Sequence, residues 1–132
     1  MSNAVEVMVL DDESMVCERL EEFLTGKGYA VEVFTDSQQA IDRLAAKHFD
    51  VVVTDLKMEG PDGLDVLRFI RGRSFATQVV IITGYGSMDT ARQAEYIGAF
   101  GFVHKPFTLK ALDDMTRKAA RKARKLRDRE AT

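Results

Sequence analysis

The chain has 132 residues, a formal charge of −2 and one cysteine. That length supports one self-sufficient core, while a lone Cys17 cannot close an internal disulfide and reads as a small buried apolar residue of a reducing compartment. No apolar run approaches the ~20 residues of a bilayer span and no basic-then-apolar leader opens the chain, so the expectation is a cytoplasmic domain with no membrane partner. The near-neutral total conceals a strongly basic stretch, Arg117 to Arg129, set against an acidic body. After a short frayed start, Met1 to Ala4, the first predicted strand is Val5 to Leu10. Helix one carries Val16, Leu20, Phe23 and Leu24 at one-face spacing and stops near Gly26 and Gly28. Strand two, Ala30 to Phe34, is short and polar enough for a sheet edge. Asp36 or Ser37 caps helix two, with Gln39 at capping-box spacing and Ile41, Leu44 and Ala45 as its apolar stripe.

The third strand is Val51-Val52-Val53-Thr54-Asp55, a run of β-branched residues buried on both faces that ends in a carboxylate. A loop from Lys57 to Gly63 leads to helix three, Leu64 to Arg71, with Leu64, Leu67 and Ile70 facing in. Strand four is Val79 to Thr83. Gly84 and Gly86 break it, Ser87 caps helix four, and that helix ends near Gly98. Strand five is Phe100 to His104, Pro106 terminates it, and Thr108 caps a last helix that runs into the basic tail. Five strand and helix alternations predict a parallel sheet covered on both faces, with no internal repeat and no second domain.

The strand ends carry the chemistry. Strand one ends in Asp11-Asp12-Glu13, strand three in Asp55, strand four in Thr83 and strand five in Lys105. If the strand order is 2-1-3-4-5, these tips converge at the point where the winding reverses, where open α/β sheets bind ligands. Carboxylates so close are unstable alone, and a hard divalent cation such as Mg²⁺ is the usual remedy. With a hydroxyl and an ammonium alongside, the set forms a phosphoryl site in which one carboxylate can attack as nucleophile. Taken singly, Asp55, Asp11 and Asp12 read equally as helix caps, Thr83 as a satisfied strand hydroxyl and Lys105 as a solvated charge. Neither a P-loop nor G-x-G-x-x-G occurs, and His48 and His104 lack ligand spacing.

Leu10-Asp11-Asp12-Glu13, Val53-Thr54-Asp55-Leu56-Lys57-Met58, Thr83-Gly84-Tyr85-Gly86-Ser87 and Lys105-Pro106-Phe107 together resemble the receiver domain of two-component response regulators. The wording around strands four and five is most similar to receivers of the nitrogen-regulation class. The resemblance implies a flavodoxin-like (βα)5 fold, a doubly wound parallel five-stranded sheet in the order 2-1-3-4-5. It places a receiver domain at 4–120, followed by a basic C-terminal helix extension or linker at 121–132.

The same resemblance implies that Asp55 is the phosphoacceptor, taking its phosphoryl group from a sensor histidine kinase or a phosphotransfer protein. Asp12, Asp55 and the Lys57 backbone carbonyl would hold Mg²⁺, and Asp11 would act through a metal-bound water. Thr83 and Lys105 would hold the phosphoryl oxygens, a cis Lys105–Pro106 bond is expected, and Thr83 and Phe102 would form the switch. The output would be an attached domain or partner protein, reached through helix four, strand five and helix five, a face that could also build a homodimer. Such a domain is a signalling switch rather than an enzyme, with slow self-dephosphorylation at most. One departure stands out: Glu59 occupies the position four after the phosphoacceptor where such receivers carry proline, and the proline is displaced to Pro61. A phosphohydrolase of the haloacid dehalogenase type shares the nucleophile, the metal, the Thr and the Lys, but it needs a general-acid Asp where this chain has Lys57. A receiver-shaped module that is never phosphorylated is disfavoured by the complete site. The basic tail is read as a solvated helical linker in preference to a nucleic-acid contact.

Overall fold

A computed structural model describes residues 4–74, 76–84 and 88–130. Five strands, β1 (Glu6–Leu10), β2 (Ala30–Phe34), β3 (Val51–Asp55), β4 (Gln78–Thr83) and β5 (Gly101–His104), alternate with α1 (Ser14–Gly26), α2 (Ser37–Ala46), α3 (Gly63–Arg71), α4 (Met88–Ile97) and α5 (Leu109–Glu130). All strand pairs are parallel and the order is β2-β1-β3-β4-β5, the flavodoxin-like arrangement expected from the sequence. Alternation along each strand divides the core into two layers. Val7, Val9, Val51 and Val53 face Cys17, Leu20, Leu24 and Leu112 of α1 and α5, while Met8, Leu10 and Val52 face Ala40, Leu67 and Ala94 of α2, α3 and α4. Every residue of β3 and β4 is buried, which is why both read as unbroken apolar runs rather than alternating ones. Each residue of β2, by contrast, is half-buried, as its edge position requires.

Several boundaries shift by one residue, and one shift has a chemical reason. α3 begins at Gly63 because Asp62 and Asp65 form a reciprocal capping box, each side chain accepting from the other's backbone N–H at 2.9 and 3.0 Å. Asp36 caps α2 by accepting from the Gln39 N–H at 3.0 Å, and Thr108 caps α5 by accepting from the Ala111 N–H at 3.0 Å. The Ser87 cap, the Gly86 break and the first three residues of the expected frayed start lie outside the described residues. The basic tail continues α5 and is packed, with Ala119, Ala120 and Ala123 buried against the sheet. Beneath it the fully buried Asp50 accepts from the Glu6 N–H at 2.9 Å and faces Arg127 at 3.4 Å and Arg124 at 3.7 Å. No helix among the described residues is long and apolar enough to cross a membrane.

Candidate functional site

Strand register builds the site. Leu10 pairs with Thr54, Asp55 with Ile82 and Thr83 with His104, so Asp11, Asp55, Thr83 and Lys105 emerge within one residue step of a common level. Asp11, Asp12 and Asp55 each offer a carboxylate oxygen within 4.8 Å of the others. Asp11 is fully buried and Asp55 nearly so, whereas Asp12 faces solvent. The Lys105 ammonium lies between the two buried carboxylates, 3.3 Å from Asp11 Oδ2 and 3.2 Å from Asp55 Oδ2, and 3.8 Å from Glu13. Lys105 is therefore no solvated surface charge. Its peptide bond to Pro106 is cis. A cavity of about 660 Å³ opens over this group and is also lined by Lys57, Thr83 and Gly84.

Backbone donors complete the anion environment. Asp55 Oδ1 accepts from the Leu56 N–H at 2.7 Å, and Asp11 Oδ1 accepts from the Glu13 N–H at 2.9 Å. Even so, burial, joined by repulsion from Asp55, pushes the Asp11 carboxyl above its usual range against the opposing pull of the Glu13 N–H and Lys105. Burial alone would lower the Lys105 pKa, yet its contacts with Asp11 and Asp55 raise it. The arrangement carries more negative charge than one ammonium offsets. Three carboxylates with oxygens within 4.8 Å of one another at the edge of a cavity are a hard-oxygen donor set, which fits a divalent cation of the Mg²⁺ type.

The structure thus brings Asp12, Asp55, Lys57, Thr83 and Lys105 around one cavity, with the buried Asp11 held against Lys105 beneath it, and it sets Phe102 on the far side of Thr83. There Thr83, Phe102 and His104 line a second cavity of about 320 Å³ with Met88, Ala91 and Glu95 of α4. Phe102 and His104 do share a face, as two residues apart on a strand must. Sequence reasoning missed two contributors. Gly63 packs directly under the site: a Cβ there would lie 2.5 Å from the Asp55 carbonyl oxygen and 2.9 Å from Leu56 Cα. Cys17 donates from Sγ to the Asp11 carbonyl at 3.2 Å, and its burial lifts the thiol pKa to about 11, so its part is packing. The Asp62/Asp65 spacing was the available signal for Gly63, since it fixes the first helical residue; nothing local announces the Cys17 contact.

Comparison with known proteins identifies the family and agrees with the fold. Residues 7–117 match the family described as the response regulator receiver domain. The transcriptional regulatory protein FixJ of Bradyrhizobium diazoefficiens is 32% identical over 123 residues, which is 93% of this chain and 60% of FixJ. The DNA-binding transcriptional regulator NtrC of Escherichia coli is 36% identical over 103 residues, 78% of this chain and 22% of NtrC. The chain therefore spans only part of either regulator. The solution structure of the beryllofluoride-activated NtrC4 receiver domain dimer superposes with a TM-score of 0.83 at 31% identity, covering 89% of this chain and 98% of that one. The kinship with nitrogen-regulation receivers suggested by the motifs around β4 and β5 is present in these matches. With its strand order and its family match in agreement, the chain belongs to the response regulator receiver domains, the phosphorylation-switched signalling domains of bacterial two-component systems.

Proposed function

We propose that this domain accepts a phosphoryl group on Asp55 from the phosphohistidine of a sensor kinase or phosphotransfer protein in the cytoplasm. The observation that carries the proposal is the meeting of the Asp11, Asp12 and Asp55 carboxylates within 4.8 Å, two of them, Asp11 and Asp55, bridged by the Lys105 ammonium. Asp12, Asp55 and the Lys57 carbonyl would hold Mg²⁺, with Asp11 acting through a bound water. The ion supplies charge neutralisation at the transferring oxygens. An Asp55 carboxylate oxygen attacks phosphorus, an O–P bond forms, and the P–N bond breaks with its electron pair returning to the imidazole. Lys105 follows the developing negative charge on the phosphoryl oxygens, and the Thr83 hydroxyl donates to one of them. The Leu56 N–H, already on Asp55 Oδ1, keeps the nucleophile oriented.

Signal output then runs through Thr83 and Phe102 to the face made by α4, β5 and α5. That face includes Tyr96, which is 94% exposed. It serves an output domain, a partner protein or a second copy of the chain. The receiver unit occupies 4–120, and the basic stretch that follows, helical as far as Glu130, is its extension or linker; turnover is at most slow loss of the phosphoryl group. Labelling with acetyl phosphate tests the reading: wild-type protein is labelled only with Mg²⁺, and Asp55→Asn is not labelled. Equal labelling of the two would refute it.

A further inference from the structure

On the reading above, the loop from Leu56 to Asp62 would present the Lys57 carbonyl to the cavity that Lys57 lines, and it has Glu59 where such receivers carry proline. A proline ring would fix φ there; Glu59 leaves the backbone with more conformations to lose. Both ends of the loop are held. Leu56 N–H donates to Ile82 O at 3.1 Å and Gly63 N–H to Leu56 O at 2.9 Å, while the Asp62/Asp65 box fixes the exit. Its middle is held from another element. Ser37, the first residue of α2 and only 3% exposed, donates its hydroxyl to the Glu59 carbonyl at 3.2 Å. The adjoining Gly60 adopts φ +75°, and a Cβ there would lie 3.7 Å from the same hydroxyl, so the Glu59-Gly60 turn sits directly on the start of α2. Met58 packs into the apolar layer beside α2 and α3. Between the two tethers only Lys57 and Met58 are left to adjust.

We propose that Ser37 is a positioning residue for the metal site: its hydroxyl restrains the loop in place of the missing proline and so pre-orders the Lys57 carbonyl. This rests on the phosphoacceptor reading above and deepens it. The restraint acts on the binding of the ion, because ordering already present before binding need not be supplied at that step. The chemistry at Asp55, which Ser37 does not touch, is left alone. Loss of one such hydrogen bond is expected to weaken Mg²⁺ binding about fivefold.

Calorimetric titration of Mg²⁺ into wild type, Ser37→Ala and Ser37→Thr tests this, together with amide exchange across residues 56–62 and across α2. The expected result is an about fivefold higher dissociation constant for Ser37→Ala, faster exchange at residues 57–60 with α2 still protected, and recovery towards wild type in Ser37→Thr. Acetyl phosphate labelling at saturating Mg²⁺ should then be nearly the same in wild type and Ser37→Ala. An unchanged dissociation constant in Ser37→Ala overturns the proposal. So does a loss that Ser37→Thr shares in full, or one accompanied by general deprotection of α2. If wild type itself neither binds Mg²⁺ nor is labelled, the phosphoacceptor reading fails first, an outcome distinct from a site that works without help from Ser37.

Discussion

Gly63 shows how one missing methyl group supports the site. With 2.5 Å available to the Asp55 carbonyl oxygen, a Cβ can be accommodated only if the Asp55-Leu56 backbone or the start of α3 moves. Gly63→Ala is therefore expected to cost about 1 to 3 kcal/mol in a denaturant melt and to slow acetyl phosphate labelling as well. A surface glycine such as Gly26, with nothing within 4 Å of its would-be Cβ, should tolerate the same change. Glu32 on the outer strand offers a contrasting case of electrostatics away from the site. Hydrogen bonds from Arg43 at 2.9 Å and Lys47 at 2.8 Å, opposed by partial burial, hold its carboxyl down at about 2 against an ordinary value of 4.5. A lowered folded pKa means that the contribution is complete above about pH 4.5 and is lost as pH falls towards about 2. Comparing wild type with Glu32→Gln across that range should show a stability difference at neutral pH, about 1 kcal/mol for a part-exposed network, that shrinks to nothing in acid. Asp11 has the opposite sign. Its raised pKa makes its charge a cost at neutral pH that is relieved as pH falls through the folded value.

Among the elements, α5 carries the basic stretch as a continuous helix. Its thin apolar stripe, Ala119, Ala120 and Ala123, is buried, and Arg124 and Arg127 reach towards Asp50. Asp50 immediately precedes β3, so one strand has Asp55, the proposed phosphoacceptor, at its tip and the acidic partner of α5 at its base. Both arginines are part-exposed and the contacts are 3.4 and 3.7 Å long, which limits the pair's worth. Asp50→Asn keeps an acceptor for the Glu6 N–H and removes the charge. It should cost about 1 kcal/mol and speed tryptic cleavage after residues 121 to 129, while Asp55 labelling stays intact. Unchanged cleavage would mean that the alanine stripe alone holds the tail.

Across the domain, the two cavities that share Thr83 lie between the proposed phosphoryl site and the α4, β5 and α5 face. Thr83 lines both, and Phe102, half-buried, borders the second. In the proposed switch, a phosphoryl group draws the Thr83 hydroxyl inward and Phe102 follows into the space released, which re-presents a face carrying the exposed Tyr96. Beryllofluoride, a phosphoryl mimic, should then promote self-association in sedimentation velocity, and Thr83→Ala should suppress that response while leaving Asp55 labelling largely intact. Identical sedimentation with and without the mimic, together with unchanged amide exchange across residues 84–110, would exclude this route.

The sheet and the site were legible in the sequence for the same reason: strands buried on both faces must be runs such as Val51-Val52-Val53, and a polar residue that ends such a run, as Asp55 and Thr83 do, sits at a strand tip. Given parallel strands in the order 2-1-3-4-5, which the resemblance to receiver domains implied, the convergence of Asp11, Asp55, Thr83 and Lys105 followed from topology. Contacts made across long separations in the chain left no periodic signal. The buried Asp50 looks like a loop aspartate until α5 places Arg127, 77 residues away, beside it, and Ser37 looks like a helix cap until the Glu59 carbonyl arrives 22 residues on. Burial itself was ambiguous at such positions, because a charged or hydroxyl side chain enters a core only when a distant partner satisfies it, and that partner is chosen by packing rather than by local pattern.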